Sequence, residues 1–513
     1  MRLRRKETKE PRFSLERLIK VNSPPISLIK QFNSPSHLAS SLPLTSHHHH
    51  TSSEPITHSL STSINPIHMP KPRPIILLIV AMCVTSGLLY GYNLGVVAGA
   101  ILFVVDDFHL SGFFKDAVVS ASLLGAMFGA ITGGKLADRF GRRRIVMLGA
   151  IIGALGAACA ACSPNPAALL TSRIIVGISI GTLTCVTPLF IAEISPSQLR
   201  GRLGSLFSVA LTCGLLSAYL SDFSLRGVDH DWRWMFALGI VPASLLVIVL
   251  IALPESPRWL VAHNRINQAR SILQRIAGSP DVDADLNQIQ AALTNQKSRW
   301  TDLVSPLYRK ALLAGVGVAV TRHATGVAIA TFWAPQIFKI AGFGSRSVEL
   351  LGTVGVGLAF VVFGLVGLWL VDRLGRRPLM LGGLLGMVLA LATLALLFRS
   401  PEMSGASGKL AVVAFMIFVA AFTAGPGVVV FLLVSEILPL QIRALGMGIA
   451  NVALWGIYLL STMTFPMLLS VAGDSGAFLS YAAIGTLAWL FIFFVIPETK
   501  GRTLEDIEAE WRK

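Results

Sequence analysis

The chain has 513 residues, 53% of them hydrophobic and only 14% charged, with a formal net charge of +16 and a mean hydropathy of +0.67. Soluble domains carry about 25% charged residues, so this composition excludes a soluble globular protein and leaves a polytopic membrane protein whose core is its own bundle of spans. The basic residues gather in loops and in one tail, so the charge reads as membrane topology, and no nucleic-acid partner is expected.

Residues 1–72 form a tail that begins "MRLRRKETKEPRFSLERLIK" and turns Ser, Pro and His rich, a composition that stays disordered. Its Arg and Ser content with few acids also fits an organelle-targeting segment, and Met69, just before "PKPRPIILL", fits a later start. The run His47–His50 on such a tail binds metal only adventitiously.

Apolar runs then predict twelve spans, at 75–104, 117–137, 145–162, 166–192, 203–221, 233–253, 311–339, 348–371, 378–397, 409–434, 444–470 and 477–496. The fold class is all-α, with an N-terminal half at 73–254, a connecting segment at 255–308, a C-terminal half at 309–497 and a final helix at 498–513. Within the connecting segment Ile266, Ala269, Ile272, Leu273 and Ile276 make one apolar stripe, which predicts short amphipathic helices beneath the bundle. Gly125, Gly129 and Gly133 in span 2, and Gly177 and Gly181 in span 4, recur every fourth residue and let helix backbones approach closely. All five cysteines fall in spans, and Cys159 and Cys162 read as small packing residues.

Lys and Arg set the orientation. They cluster in "DRFGRRR" (Asp138–Arg144), in "DRLGRRP" (Asp372–Pro378) and in the connecting segment, whereas the loops after spans 1 and 5 carry Asp106, Asp107, Asp222, Asp229 and Asp231. Both termini are therefore expected in the cytoplasm of a plasma (inner) membrane protein, or facing the equivalent side of an organelle membrane if the tail is a targeting segment.

The chain also repeats itself. Asp138 and Asp372 lie 234 residues apart, Glu193 of "AEISPSQLRG" and Glu436 of "SEILPLQIRA" 243 apart, and Pro254 of "PESPR" and Pro497 of "PETKG" again 243 apart. Three ordered matches at nearly one offset indicate two homologous six-span halves, the mark of a secondary transporter with its site between them.

The paired GRR loops, "PESPRWL", "PETKGRTLEDIE" and the two Glu-x6-Arg segments resemble the sugar porter family of the major facilitator superfamily, over about Ile75 to Arg512. The resemblance implies two six-helix bundles, alternating access, a central cavity for a sugar or polyol, a monomer as the functional unit and no cofactor. The repeated loops supply a charged network of Asp138, Arg142, Glu193, Arg200, Glu255, Arg258, Asp372, Arg376, Glu436, Arg443 and Glu498. Such pairs act as a gate that forms when the cytoplasmic side closes, or serve only as topology anchors. Exposed pairs are worth about 0–1 kcal/mol each, so only a network biases a two-state equilibrium.

The centre departs from the family. Arg322 lies about 11 residues into the apolar run Ala311–Phe338, roughly 16 Å deep at ~1.5 Å per residue, with His323 beside it. Intramembrane ionisable residues mark solute or ion paths by default, and Arg173 in span 4 is the third. Arg322, Gly326, Ile329 and Trp333 share a face of a regular helix, one wall of a cavity; the alternative is that Arg322 snorkels or bonds to a neighbouring carbonyl.

Family members that couple to protons carry Gly-Tyr-Asp in span 1. This chain has Gly91-Tyr92-Asn93, like the facilitative glucose transporters of animals, and Arg173 matches the arginine that pairs with that acid where it exists. Arg322-His323 stands where sugar-binding members carry Gln-Gln; Ser208 and Phe360 replace an amide in spans 5 and 8; span 10 reads Gly425-Pro426-Gly427 followed by apolar residues to Phe431; Trp455 is kept. Amides suit a ring of hydroxyls, while arginines and a histidine without a carboxylate favour an anion. The substrate is thus expected to be a sugar or polyol, or a sugar-acid relative, contacted by Arg322, His323, Asn93, Arg173, Ser208, Trp333, Phe431 and Trp455. Without an acid at position 93, facilitated diffusion is expected, with His323 as the titratable fallback for proton symport. A non-transporting sensor on the same scaffold is the other alternative; an enzyme is not expected, since no nucleophile–base or metal set recurs in the spans.

Overall fold

Backbone amides surrounded by lipid must find partners within their own segment, and in the computed structural model the apolar runs do so as helices. The structure describes residues 74–196, 198–277, 279–294, 303, 305–399, 405–439, 441–502 and 506–507. The expectations for the tail, including His47–His50 and Met69, fall outside these residues, as does most of the C-terminal helix. Of its described residues, 498–502 are turn and coil and 506–507 are helical.

Spans 1 to 6 are Pro74–Phe108, Gly112–Phe140, Arg142–Ala161, Pro166–Ile194, Arg200–Ser224 and Asp231–Ala252; spans 8 to 10 are Arg346–Leu374, Arg376–Leu397 and Gly405–Ile437. Spans 11 and 12 run together as Arg443–Val495 and part at Gly473, whose φ of +70° only glycine adopts cheaply. Span 7 is broken into Pro306–Ala324, Val327–Phe332 and Ala334–Ile340, so no piece of it is long and apolar enough to cross alone. The first break is at Gly326, with φ +89°, and the second at Trp333, just before Pro335. Counted this way the bundle has the expected twelve spans in two six-span halves.

The spaced glycines are where spans 2 and 4 cross. A Cβ on Gly125 would overlap the Ile174 carbonyl, and one on Gly181 the Ala126 carbonyl, so the backbones touch. Span 1 meets span 5 in the same way through Gly91 and Leu211. The halves meet along two seams, span 5 on span 8, where Tyr219 covers Gly357, and span 2 on span 11.

The loops after even-numbered spans emerge on one side, the basic face. Beneath the N-terminal half, three connecting helices occupy Pro257–Ala262, Ile266–Ala277 and Asp283–Thr294. Ala269 and Ile276 of the expected stripe are buried, Ile272 and Leu273 are half-buried, and Ile266 is exposed. Trp259, Leu260, Val282 and Leu286 complete this small satellite core.

Candidate functional site

The charged network resolves into two matching brackets, one in each half. In the N-terminal half Arg142 donates to Asp138 at 2.8 Å and sits 3.0 Å from Glu193 through Nε, an ion pair whose N–H is not aligned for a hydrogen bond. Glu193 also accepts from the Ser256 hydroxyl at 2.5 Å. Glu255 accepts from the backbone amides of Arg143 and Ser256, at 3.0 and 2.9 Å, capping the start of span 3. The C-terminal half repeats this: Arg376 lies 3.8 Å from Asp372 and 3.3 Å from Glu436, Glu436 accepts from Thr499 at 2.5 Å, and Glu498 takes the amides of Arg376 and Arg377. Arg200 donates to Ser195 O and Arg443 to Leu438 O, five residues back in each chain segment. Arg258 reaches Glu193 only through its field. The ion pairs of Arg142 with Asp138 and Glu193, and of Arg376 with Asp372 and Glu436, each stay within one half.

On the opposite face the contacts cross between halves. Arg346 of span 8 pairs with Asp106 of span 1 at 2.7 Å, Arg226 donates to Ser347 at 3.1 Å, the Tyr219 hydroxyl donates to Thr331 O at 2.8 Å, and Lys115 lies 5.2 Å over the Trp333 ring. This face is closed.

The eight candidate solute contacts do not form one group. Arg322, His323, Phe431 and Trp455 come together between the halves. Arg322 is half-buried, and its Nη1 donates to the carbonyls of Pro426 and Gly427 in the interrupted span 10, with the Phe422 and Phe431 rings 5.7 and 4.9 Å away. Its Nε and Nη2 have no partner among the described residues and remain accessible. His323 is buried and stacked on Tyr458 at 3.9 Å, with Nδ1 unpartnered; Trp455, 6.1 Å from Tyr458 and 6.3 Å from Tyr90, has Nε1 unpartnered. Tyr90 and Tyr458 were not among the sequence candidates, yet each lies three residues from one, Asn93 and Trp455, the spacing that puts two side chains on one helical face.

Asn93 and Arg173 form a second, separate cluster inside the N-terminal half. Arg173 is fully buried and donates to Asn93 O at 3.3 Å and the Ser122 hydroxyl at 3.1 Å, with Phe236 5.5 Å from its guanidinium. The Asn93 side chain lies against Gly239 and Gly153. Ser208 is exposed, and its hydroxyl bonds its own helix at Gly204 O. Trp333 is buried toward the closed face, donating to Thr462 O at 3.3 Å. The single helical wall expected from Arg322 to Trp333 is not realised, because the break at Gly326 interrupts the 100° progression.

Two further residues sit differently from their sequence reading. Asp222 is not in a loop: it is buried at the end of span 5, with Oδ2 accepting from Gly99 N at 3.1 Å and Oδ1 unpartnered. Cys159 and Cys162 are free and exposed rather than packed in a core.

Comparison with known proteins bears on this geometry. Residues 78–511 match the family model described as "Sugar (and other) transporter". The chain is 38% identical to the "Putative metabolite transport protein YwtG" of Bacillus subtilis, over 83% of this chain and 93% of that one. It is 35% identical to the "Glucose transporter GlcP" of Staphylococcus epidermidis (83% and 95%) and 34% identical to the "Galactose-proton symporter" of Escherichia coli (83% and 92%). Among solved structures, the inward-open xylose transporter XylE from E. coli superposes with a TM-score of 0.73 at 29% identity, over 85% of this chain and all of that one. The chain belongs to the sugar porter family of the major facilitator superfamily and is a multi-pass membrane transporter, not an enzyme.

Proposed function

We propose that this chain carries a sugar, a polyol or a sugar-acid relative across the plasma membrane as a monomer, bound where Arg322, His323, Tyr90, Trp455 and Tyr458 converge between the halves. The relatives supply the substrate class, since several are named as glucose, xylose, galactose or arabinose transporters. The observation that carries the site is the half-used guanidinium of Arg322, flanked by the orphaned Nδ1 of His323 and Nε1 of Trp455. Buried donors without partners are costly, and a hydroxylated or carboxylated solute would satisfy them. The basic face is assigned to the cytoplasm, with both termini on it. Closure of the opposite face then makes this conformer inward-facing. On this reading the cytoplasmic brackets stiffen each half in the present state, and their carboxylates re-pair across the halves when that side shuts. Uptake into proteoliposomes of a panel of labelled neutral sugars, polyols and sugar acids tests the proposal: saturable uptake of one class supports it, and none above protein-free vesicles defeats it. Cysteine labelling that places Arg142 or Arg376 outside the cell would end the orientation assignment.

Proton symport is the second reading, favoured by relatives named as galactose-proton and arabinose-proton symporters. Asn93, where a carboxylate would carry the proton, favours facilitated diffusion instead. Accumulation of solute above its electrochemical gradient, abolished by a protonophore, would decide for symport; loss of that accumulation in His323→Gln would assign the proton to His323.

A further inference from the structure

A second polar cleft lies outside the transport path, on the basic face where spans 3 and 6 reach the membrane boundary. It has a volume of about 520 Å³ and lies between the first turn of span 3, the end of span 6 and the second connecting helix, Ile266–Ala277. Two of its charged groups are already committed. Arg143 donates to Leu250 O at 2.7 Å and Ile251 O at 2.9 Å, and Glu255 accepts the two backbone amides described above. The bracket accounts for both.

It does not account for the rest. Arg144, Arg265 and Arg275 line the same cleft, are exposed, and have no acidic partner among the described residues. Arg270, on the same connecting helix but outside the cleft, does pair, with Asp283 at 2.7 Å. Arg265 lies 5.7 Å from the Trp259 ring. Asn267, Gln268 and Ser271 add amide and hydroxyl donors that bond nothing among the described residues. The C-terminal half, which repeats the bracket, has Pro378 in the place of Arg144. Three guanidiniums lining one cleft, with amide and hydroxyl donors beside them, suit the oxygens of a phosphate group, which planar forks bind in pairs. Topology alone explains positive charge on this face, but not three unpaired guanidiniums lining one cleft.

We propose that this cleft binds a phosphate ester, either the headgroup phosphate of a membrane lipid or a soluble phosphorylated metabolite. The site is independent of the transported solute, so failure of the transport reading would leave it standing. Two arms distinguish the sources in the purified full-length protein. One measures retention of phosphatidylglycerol against phosphatidylcholine by native mass spectrometry. The other measures binding of a hexose phosphate, with inorganic phosphate as reference, in detergent free of anionic lipid. Arg144→Gln, Arg265→Gln and Arg275→Gln are combined and compared with Arg202→Gln, Arg309→Gln and Lys310→Gln, which remove the same charge from the same face elsewhere. The proposal predicts about 10- to 100-fold weaker binding of one probe in the cleft triple and little change in the control triple. Arg265→Gln alone, at an exposed position just before the second connecting helix, gives the same direction should the triple variant express poorly. Equal weakening in both triples, or no binding of any probe by the wild type, overturns the proposal.

Discussion

Each half places one arginine where it staples its first span to its fourth, and the two staples run in opposite directions. In the N-terminal half Arg173 stands on the fourth span and donates to the backbone of the first, at Asn93. In the C-terminal half Arg322 stands on the first, span 7, and donates to the backbone of the fourth, at Pro426 and Gly427. Arg173 is fully buried, with a hydroxyl on a second nitrogen and an aromatic ring beside it, and its Nε has no partner among the described residues. Arg322 uses one nitrogen and keeps the others accessible. The same residue type, in related places, thus serves cohesion in one half and is left available in the other. An intramembrane charge says where to look; which of its donors are spent says what it can do.

The largest effect should come from breaking the buried staple. Arg173→Met strips hydrogen bonds from Asn93 O and Ser122 in a fully buried site and should cost about 3–5 kcal/mol, read as a large fall in melting temperature and folded yield. Arg322→Gln, which can still donate to span 10, should cost no more than about 1.5 kcal/mol of stability by the same assay. If the two variants lose stability equally, the contrast between the staples collapses.

The brackets sharpen the comparison, because they are where the halves are most alike. Gly141 and Gly375 have φ values of +104° and +99°, and a Cβ on either would overlap Oε2 of Glu255 or Glu498. Gly141→Ala and Gly375→Ala should each cost about 1–3 kcal/mol, within about 1 kcal/mol of one another. A much smaller cost in one half would show that its bracket is not under the same constraint. Smallest is the surface pair: Arg270→Gln, which removes the exposed partner of Asp283, should change stability by less than about 1 kcal/mol.

What could be read from the sequence was local or repeated. The apolar runs announced the spans, the four-residue glycine spacing announced the crossing of spans 2 and 4, and the offsets of 234 and 243 residues announced the halves that the brackets now share. What could not be read depends on register between distant spans. Nothing in "VTRHATGVA" shows that Gly326 takes a left-handed φ and breaks the wall expected between Arg322 and Trp333. Nor does it show that a carbonyl about 100 residues away waits for Arg322, the outcome foreseen only as the alternative to a cavity contact. Asp222 looked like the start of a loop because an acid ends an apolar run; it is the Gly99 amide that holds it inside. Tyr90 and Tyr458 were within reach of helical spacing, but only the packing of Tyr90 on Trp455 across the halves marks them as part of the site.

The central claim is that the accessible donors of Arg322 face the transported solute, and the most direct measurement is transport itself in the variant that removes their charge. Uptake of a matched neutral hexose and its acidic counterpart is compared for wild type, Arg322→Gln and Arg322→Lys in proteoliposomes. Losing a charge-assisted hydrogen bond should weaken the acidic solute by about 10- to 100-fold in Arg322→Gln, with an intermediate loss in Arg322→Lys, while the neutral hexose is spared or improved. Equal loss for both solutes, accompanied by lowered protein yield, would mean that Arg322 is a staple like Arg173 and nothing more.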